Sequence, residues 1–214
     1  MDGWRREPAR VREVRLSRQY AEPNAKVDDT AVYQDLSAFR LPKDFRGRPA
    51  WVVQLWWAVD WMFFRNSPQL LYGWRRFLLR LFGARIGKQV RLRSSVRVTY
   101  PWKLAIGDYS WIGDDTVLYS LGEIEIGKNV VISQFSYVCA AQHDLSRITF
   151  DMVDKKVVIE DEVWCAARVF IAPGTHIGKG TVVGACSSVF KDLPPGMICR
   201  GNPAVPVRER PREA

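Results

Sequence analysis

The sequence predicts a mainly β fold: a parallel β-helix of hexapeptide repeats, preceded by an N-terminal arm and one or two apolar or amphipathic helices. Two observations predict it. From Ile86 onward an aliphatic residue recurs at every sixth position, first as Ile86, Leu92, Val98 and Leu104, then as Ile106, Ile112, Leu118 and Ile124 after an offset of two. Ile126, Ile132 and Val138 continue it, and after a gap come Ile159, Cys165, Ile171, Ile177, Val183 and Val189. A helix repeats near 3.6 and a strand at two, so six is the period of a chain that turns a corner after each short strand. The second observation is the company these residues keep. Glycine often follows, as at Gly87, Gly107, Gly113, Gly127, Gly178 and Gly184, and the fifth position is small or β-branched, as at Ser110, Thr116, Ser136, Thr181 and Ser187.

Taken in order, residues 1–50 are basic and punctuated by Pro8, Pro23, Pro42 and Pro49, and so read as a mostly irregular arm. The opening MDGWRREPARVREVRLSR lacks the apolar run of a secretory signal, so a cytoplasmic location is expected. Residues 51–85 hold two apolar pieces, WVVQLWWAVDWMFF and QLLYGWRRFLLRLF, separated by Asn66-Ser67-Pro68. Ser67 and Pro68 read as cap and first turn of a helix in the second piece. Leu70, Leu71, Trp74, Phe77, Leu78 and Leu81 would form its apolar stripe, with Arg75, Arg76 and Arg80 on the polar side. Each piece is shorter than the roughly 20 residues needed to span a bilayer. Two readings stay open: a cap on the raw end of the repeat stack, and a Trp-rich surface in peripheral contact with the inner face of the membrane.

Residues 86–205 then form the β-helix, with three sixes per triangular coil: 86–103, 106–123, 126–143, 159–176 and 177–194. Residues 144–158 leave the prism as an excursion, and 206–214 make a C-terminal tail. His143, one of two histidines, closes the third coil immediately before that excursion, which places it at a corner beneath a loop. The net charge of +9 favours an anionic partner, but no nucleic-acid module is present and none is expected as partner. Cys139, Cys165, Cys186 and Cys199 lack C-x-x-C spacing and lie among aliphatic residues, which fits reduced, buried thiols rather than bridges or a metal site.

From about Ile86 to Arg208 the chain resembles the hexapeptide-repeat acyltransferases, through its sixes, His143-Asp144, the stretch VWCAARVFIAPGTHIGKGTVVGACSSVFKDLPPG and the later GNPA. With its apolar Trp-rich segment it is most similar to the colanic-acid-type O-acetyltransferases, and also to the galactoside and nodulation-factor enzymes. The resemblance implies a left-handed β-helix and a homotrimer that binds acetyl-CoA in grooves between neighbouring prisms, with no metal. It implies His143 as catalytic base and Trp164 packing on the pantetheine arm. Ala167 and Ala185 would offer backbone N–H groups, and Lys191 and Arg208 would lie near the nucleotide phosphates. The family pattern W-I-G-x reads Trp164-Cys165-Ala166-Ala167 here, with Ala in place of the corner glycine.

An imidazole can take a proton from a hydroxyl near neutral pH without unusual tuning. No cysteine has an evident histidine partner, so direct transfer is expected over a thiol-borne acyl-enzyme. The expected activity is acetyl-CoA-dependent O-acetylation of a sugar hydroxyl in exopolysaccharide, capsule or lipid-linked glycan assembly. Its alternatives are N-acetylation of an amino sugar, O-acetylation of a small molecule, and a non-catalytic trimeric scaffold. Two histidines are too few for a three-histidine zinc centre. The roles of Asp144, as orienter of the imidazole or first residue of the loop, and of His176, as rival base or interface residue, are open at this level.

Overall fold

A computed structural model describes residues 30–211. Residues 1–33 group as one unit and Gln34–Ala214 as a second, which carries every element discussed below. The arginine-rich opening of the arm lies outside the described residues.

The sixes fold into a three-sided prism. On the first face Ile86, Ile106, Ile126, Ile159 and Ile177 stand in parallel register. On the second the column is Leu92, Ile112, Ile132, Cys165, Val183 and Cys199. On the third it is Val98, Leu118, Val138, Ile171 and Val189. All sixteen side chains are buried along the prism axis, and buried fifth-position residues such as Val90, Val130 and Val163 join them in the core. Met197–Gly201 and Ala204–Glu209 close the far end as an antiparallel pair on the second face.

The accompanying residues acquire separate roles. The buried hydroxyls at the fifth position serve corner backbone: Ser110 donates to Gly127 O at 2.8 Å and accepts from Val130 N at 3.0 Å, and Ser136 receives Val169 N at 3.2 Å. Gly107 is required by stacking, because a Cβ there would meet Gly127 C at 2.6 Å. The left-handed corner conformations fall at a different position, mostly on non-glycine residues such as Asn129 and Arg168 and also on Gly174 and Gly180. Successive coils thus approach too closely for a methyl group at that column of corners.

Backbone direction dictates the cap. N–H groups of one coil donate forward to carbonyls of the next, as Gly87 N does to Ile106 O and Arg91 N to Ser110 O. The carbonyls of the first coil therefore lack a preceding coil, and the chain must bring donors to them. Two helices do so: α1 (Ala50–Val59), which runs on into a π-helical turn at Asp60–Phe64, and α2 (Tyr72–Leu81). Trp56 Nε1 donates to Val98 O at 2.9 Å, Arg75 Nε to Leu92 O at 2.8 Å and Arg76 to Val90 O at 2.9 Å; Arg80 donates to Ile86 O and Gly87 O. The sequence leaves open which side of α2 meets the prism. Its arginine side faces the prism, while Leu70, Leu71, Trp74, Phe77 and Leu81 face outward; of the stripe only Leu78 is buried. The predicted cap is also displaced. The helix begins at Tyr72, and Ser67 Oγ instead donates to Phe64 O at 2.6 Å and accepts from Arg75 at 2.8 Å.

Part of the arm packs although it is irregular. Phe45 is buried, Trp102 Nε1 donates to Arg46 O at 2.6 Å, and Lys103 Nζ donates to Phe45 O at 2.8 Å and to Leu121 O.

Asp60 is buried beside Arg65, with Nε to Oδ2 at 2.8 Å, and desolvation raises its pKa to about 6 despite the attraction of Arg65 and Arg97. A carboxyl whose folded pKa lies above its unfolded value favours folding most below the unfolded pKa of 3.8 and loses that contribution as pH rises through about 6. The loss is about 2–3 kcal/mol. Asp60→Asn should therefore flatten the fall in melting temperature between acidic and neutral pH. Parallel melting curves for variant and wild type would contradict this.

Candidate active site

The chain leaves the prism at the corner between its third face, from Tyr137–Cys139, and its first, rejoined at Val157–Ile159. The excursion begins and ends earlier than predicted. Ala141–His143 already pair antiparallel with Met152–Asp154, and Val157 already lies in register with Ile124. His143 accordingly stands on the stem of a hairpin, opposite Met152, rather than at a prism corner. The return strand satisfies the backbone there, so the chain can extend outward before the third coil is complete.

His143 is held on three sides. Nδ1 lies 2.7 Å from Phe150 O. A carbonyl can only accept, so Nδ1 carries the proton and Nε2 presents a lone pair. The ring stacks on Phe150 at 3.9 Å between centroids and 10° between planes, and Phe39 meets its edge at 6.5 Å. A hollow of about 710 Å³ lies alongside, lined by Gln142, His143, Asp144, Leu145, Ser146, Phe150, Val153 and Lys155. Asp144 organises the loop: Oδ1 accepts from Ser146 N at 2.9 Å and Ser146 Oγ at 2.6 Å, bonds that hold its carboxyl below the usual range. The group orienting the imidazole is the Phe150 carbonyl. Sequence reading misses it, since every residue offers a carbonyl and only the hairpin register selects this one. Phe39 and Lys155 are missed likewise.

The remaining predicted residues divide between two places. Trp164, Val182, Ile198 and Arg208 form one row across adjacent strands of the second face. At about 4.8 Å per strand, Trp164 and Arg208 lie about 14 Å apart. Trp164 is 46% exposed, and its Nε1 donates to Ser133 Oγ at 3.2 Å. Ala167 and Ala185 occupy equivalent corners of successive coils at the edge between second and third faces, where Cys186 N donates to Ala167 O at 2.9 Å. Among the described residues neither alanine N–H has an acceptor. Lys191, exposed, lies at the other edge, the third-to-first corner from which the hairpin of His143 springs two coils earlier. A full prism face thus separates His143 and Lys191 from the row of Trp164, Ala167, Ala185 and Arg208. His176 is apart from both, on the first face, with Nε2 2.9 Å from Glu160 Oε1.

The thiols do not all follow the prediction. Cys165 and Cys199 are core residues, and burial pushes Cys165 up to about 12, which leaves it unreactive. Cys186 is exposed, because its corner residue projects outward from the prism.

Among the described residues no cluster of histidine, cysteine and carboxylate side chains is arranged to hold a metal ion.

No family model matches the chain. WcaF of Escherichia coli strain K12, assigned as a colanic acid biosynthesis acetyltransferase, is 60% identical over 177 residues, covering 83% of this chain and 97% of that protein. A maltose O-acetyltransferase from Clostridium difficile 630 superposes with a TM-score of 0.70 at 26% identity, over 77% of this chain and 90% of its own. The hexapeptide-repeat acetyltransferase VCA0836 of Vibrio cholerae, in complex with acetyl coenzyme A, gives 0.68 at 26% identity, over 75% and 88%. With the repeat register, the hairpin histidine and the near full-length similarity to WcaF together, this chain belongs to the hexapeptide-repeat acetyltransferases, in the family of the colanic acid biosynthesis acetyltransferase.

Proposed function

We propose that the protein transfers the acetyl group of acetyl-CoA to a sugar hydroxyl in extracellular or lipid-linked glycan assembly, with His143 as general base. The observation that carries the reading is the bond from His143 Nδ1 to Phe150 O, which directs a proton-accepting Nε2 away from the hairpin stem. Nε2 takes the acceptor's hydroxyl proton as its oxygen attacks the thioester carbonyl carbon. The carbon–sulfur bond then breaks, and the departing thiolate takes the proton from the imidazolium. A backbone N–H at the alanine edge would stabilise the intervening oxyanion. Holding thioester and hydroxyl together supplies much of the rate.

The groups needed for this lie on opposite edges of one prism, so a complete site requires two copies. One copy would offer Trp164 to the pantetheine arm, the Ala167 and Ala185 amides to its polar atoms, and Arg208 to the phosphates. The next would contribute His143 and Lys191. A closed ring of three such contacts gives three equal sites, which supports a homotrimer. The fold shared with the maltose O-acetyltransferase supports sugars as acceptors.

Incubating the protein with acetyl-CoA and a panel of neutral and amino-sugar glycans tests this. Thiol release stimulated by a neutral glycan, with an alkali-labile acetyl ester as product, is the expected result. An alkali-stable acetamide would make it an N-acetyltransferase, and no stimulation by any glycan, despite binding of acetyl-CoA, would leave a scaffold.

A further inference from the structure

The capping arginines settle why α2 faces the prism as it does, and they leave its other side unexplained. Trp57, Trp61, Phe63, Trp74, Phe77 and Leu81 are each at least 40% exposed and belong to consecutive elements over one end of the prism. The bonds to the prism come from the other side of these helices, and on the outward side Trp74 Nε1 ties α2 to Phe63 O at 3.0 Å.

The coil directly beneath has a second peculiarity. The outward residue of the first strand on each face is an arginine: Arg85, Arg91 and Arg97, all exposed. Their partners one coil further on are Ala105, Trp111 and Val117, and two coils on Glu125, Val131 and Tyr137. At the end that carries the apolar surface, arginine thus holds the outward strand position on all three faces, a pattern the next two coils do not repeat. The pairings made by these arginines are loose: Arg85 is 3.4 Å from Glu125, Arg91 lies over the Trp111 ring at 5.0 Å, and Arg97 acts on Asp60 without a close ion pair.

We propose that this end docks on a bilayer containing anionic phospholipid. The aromatic and aliphatic side chains of α1 and α2 would enter the headgroup–acyl boundary, with the arginine collar facing lipid phosphates. Insertion stops at the interface, since no helix among the described residues is long and apolar enough to cross. The collar also argues against a second copy as occupant, because two such ends face to face would bring like charges together. Six arginines among residues 5–18 would make a poor apolar cover and add to the attraction for phosphate. The proposal does not depend on the acetyl transfer reaction, since binding is read without turnover.

The test is co-sedimentation of the full chain with vesicles of phosphatidylcholine, alone or mixed with phosphatidylglycerol. Wild type should sediment with the mixed vesicles. Trp57→Ser with Trp61→Ser and Phe63→Ser should lower partitioning at least about tenfold. Arg85→Gln with Arg91→Gln and Arg97→Gln should lower it by about the same factor on anionic vesicles only. Quenching of wild-type tryptophan emission by brominated phosphatidylglycerol gives a reading independent of how the variants fold. No quenching, equal partitioning of all forms, or a lipid-free assembly that doubles in mass through the apolar face would each overturn the proposal.

Discussion

His143→Ala should lower kcat by about 10² to 10⁴-fold while the KM for acetyl-CoA changes little. The reason is the division of groups over the prism: His143 lies on the hairpin, and the row from Trp164 to Arg208 lies a face away. A histidine that only stabilised the hairpin would, on replacement, lower thermal stability and affinity together and leave kcat per folded molecule near wild type. A second arm tests the shared site. Ala185→Trp should block the alanine edge of its own copy. Co-assembled with His143→Ala in equal amounts, it should restore about a quarter of wild-type activity. In random closed rings a quarter of the contacts unite an intact histidine with an open edge. Mixtures as inactive as either variant alone would place each site within one copy.

Arg75→Leu should destabilise the fold by about 3–5 kcal/mol, a fall in melting temperature of about 10 °C. Arg75 is fully buried and donates to Leu92 O at 2.8 Å, Ser67 Oγ at 2.8 Å, Pro68 O at 3.0 Å and Gln69 O at 2.5 Å. Burial lowers its pKa, yet the guanidinium stays charged because its ordinary value is so high. Leucine fills much of the volume but strands acceptors in the interior, each at a cost of about 1–3 kcal/mol. Arg75→Lys should recover less than half, since a single ammonium cannot reach acceptors from both the Ser67–Gln69 turn and the first coil. Equal melting temperatures for Leu and wild type would show that water or the neighbouring chain satisfies those carbonyls instead.

The β-helix was legible because its core is written locally. Each inward residue is one of six, and a stack repeats the same demand on every coil, so Ile86, Leu92 and Val98 announce the same geometry as Ile177, Val183 and Val189. Cys165 and Trp164 could be placed inside and outside by counting alone. The excursion was visible as a lapse in the count, but its true start at Ala141 was not, because antiparallel pairing with Asp154 leaves no mark on a period of six.

What the sequence by itself determined was the prism, the order of its coils and the position of a histidine at its one interruption, since all three follow from short-range periodicity. Tertiary structure alone decided which way α2 faces, which carbonyl turns the imidazole and how far the histidine lies from the alanine edge. The physical reason is that an amphipathic pattern reports two unlike faces without saying which partner each meets. In this chain the partner was a row of unpaired carbonyls, which selected the arginines and turned the apolar side outward.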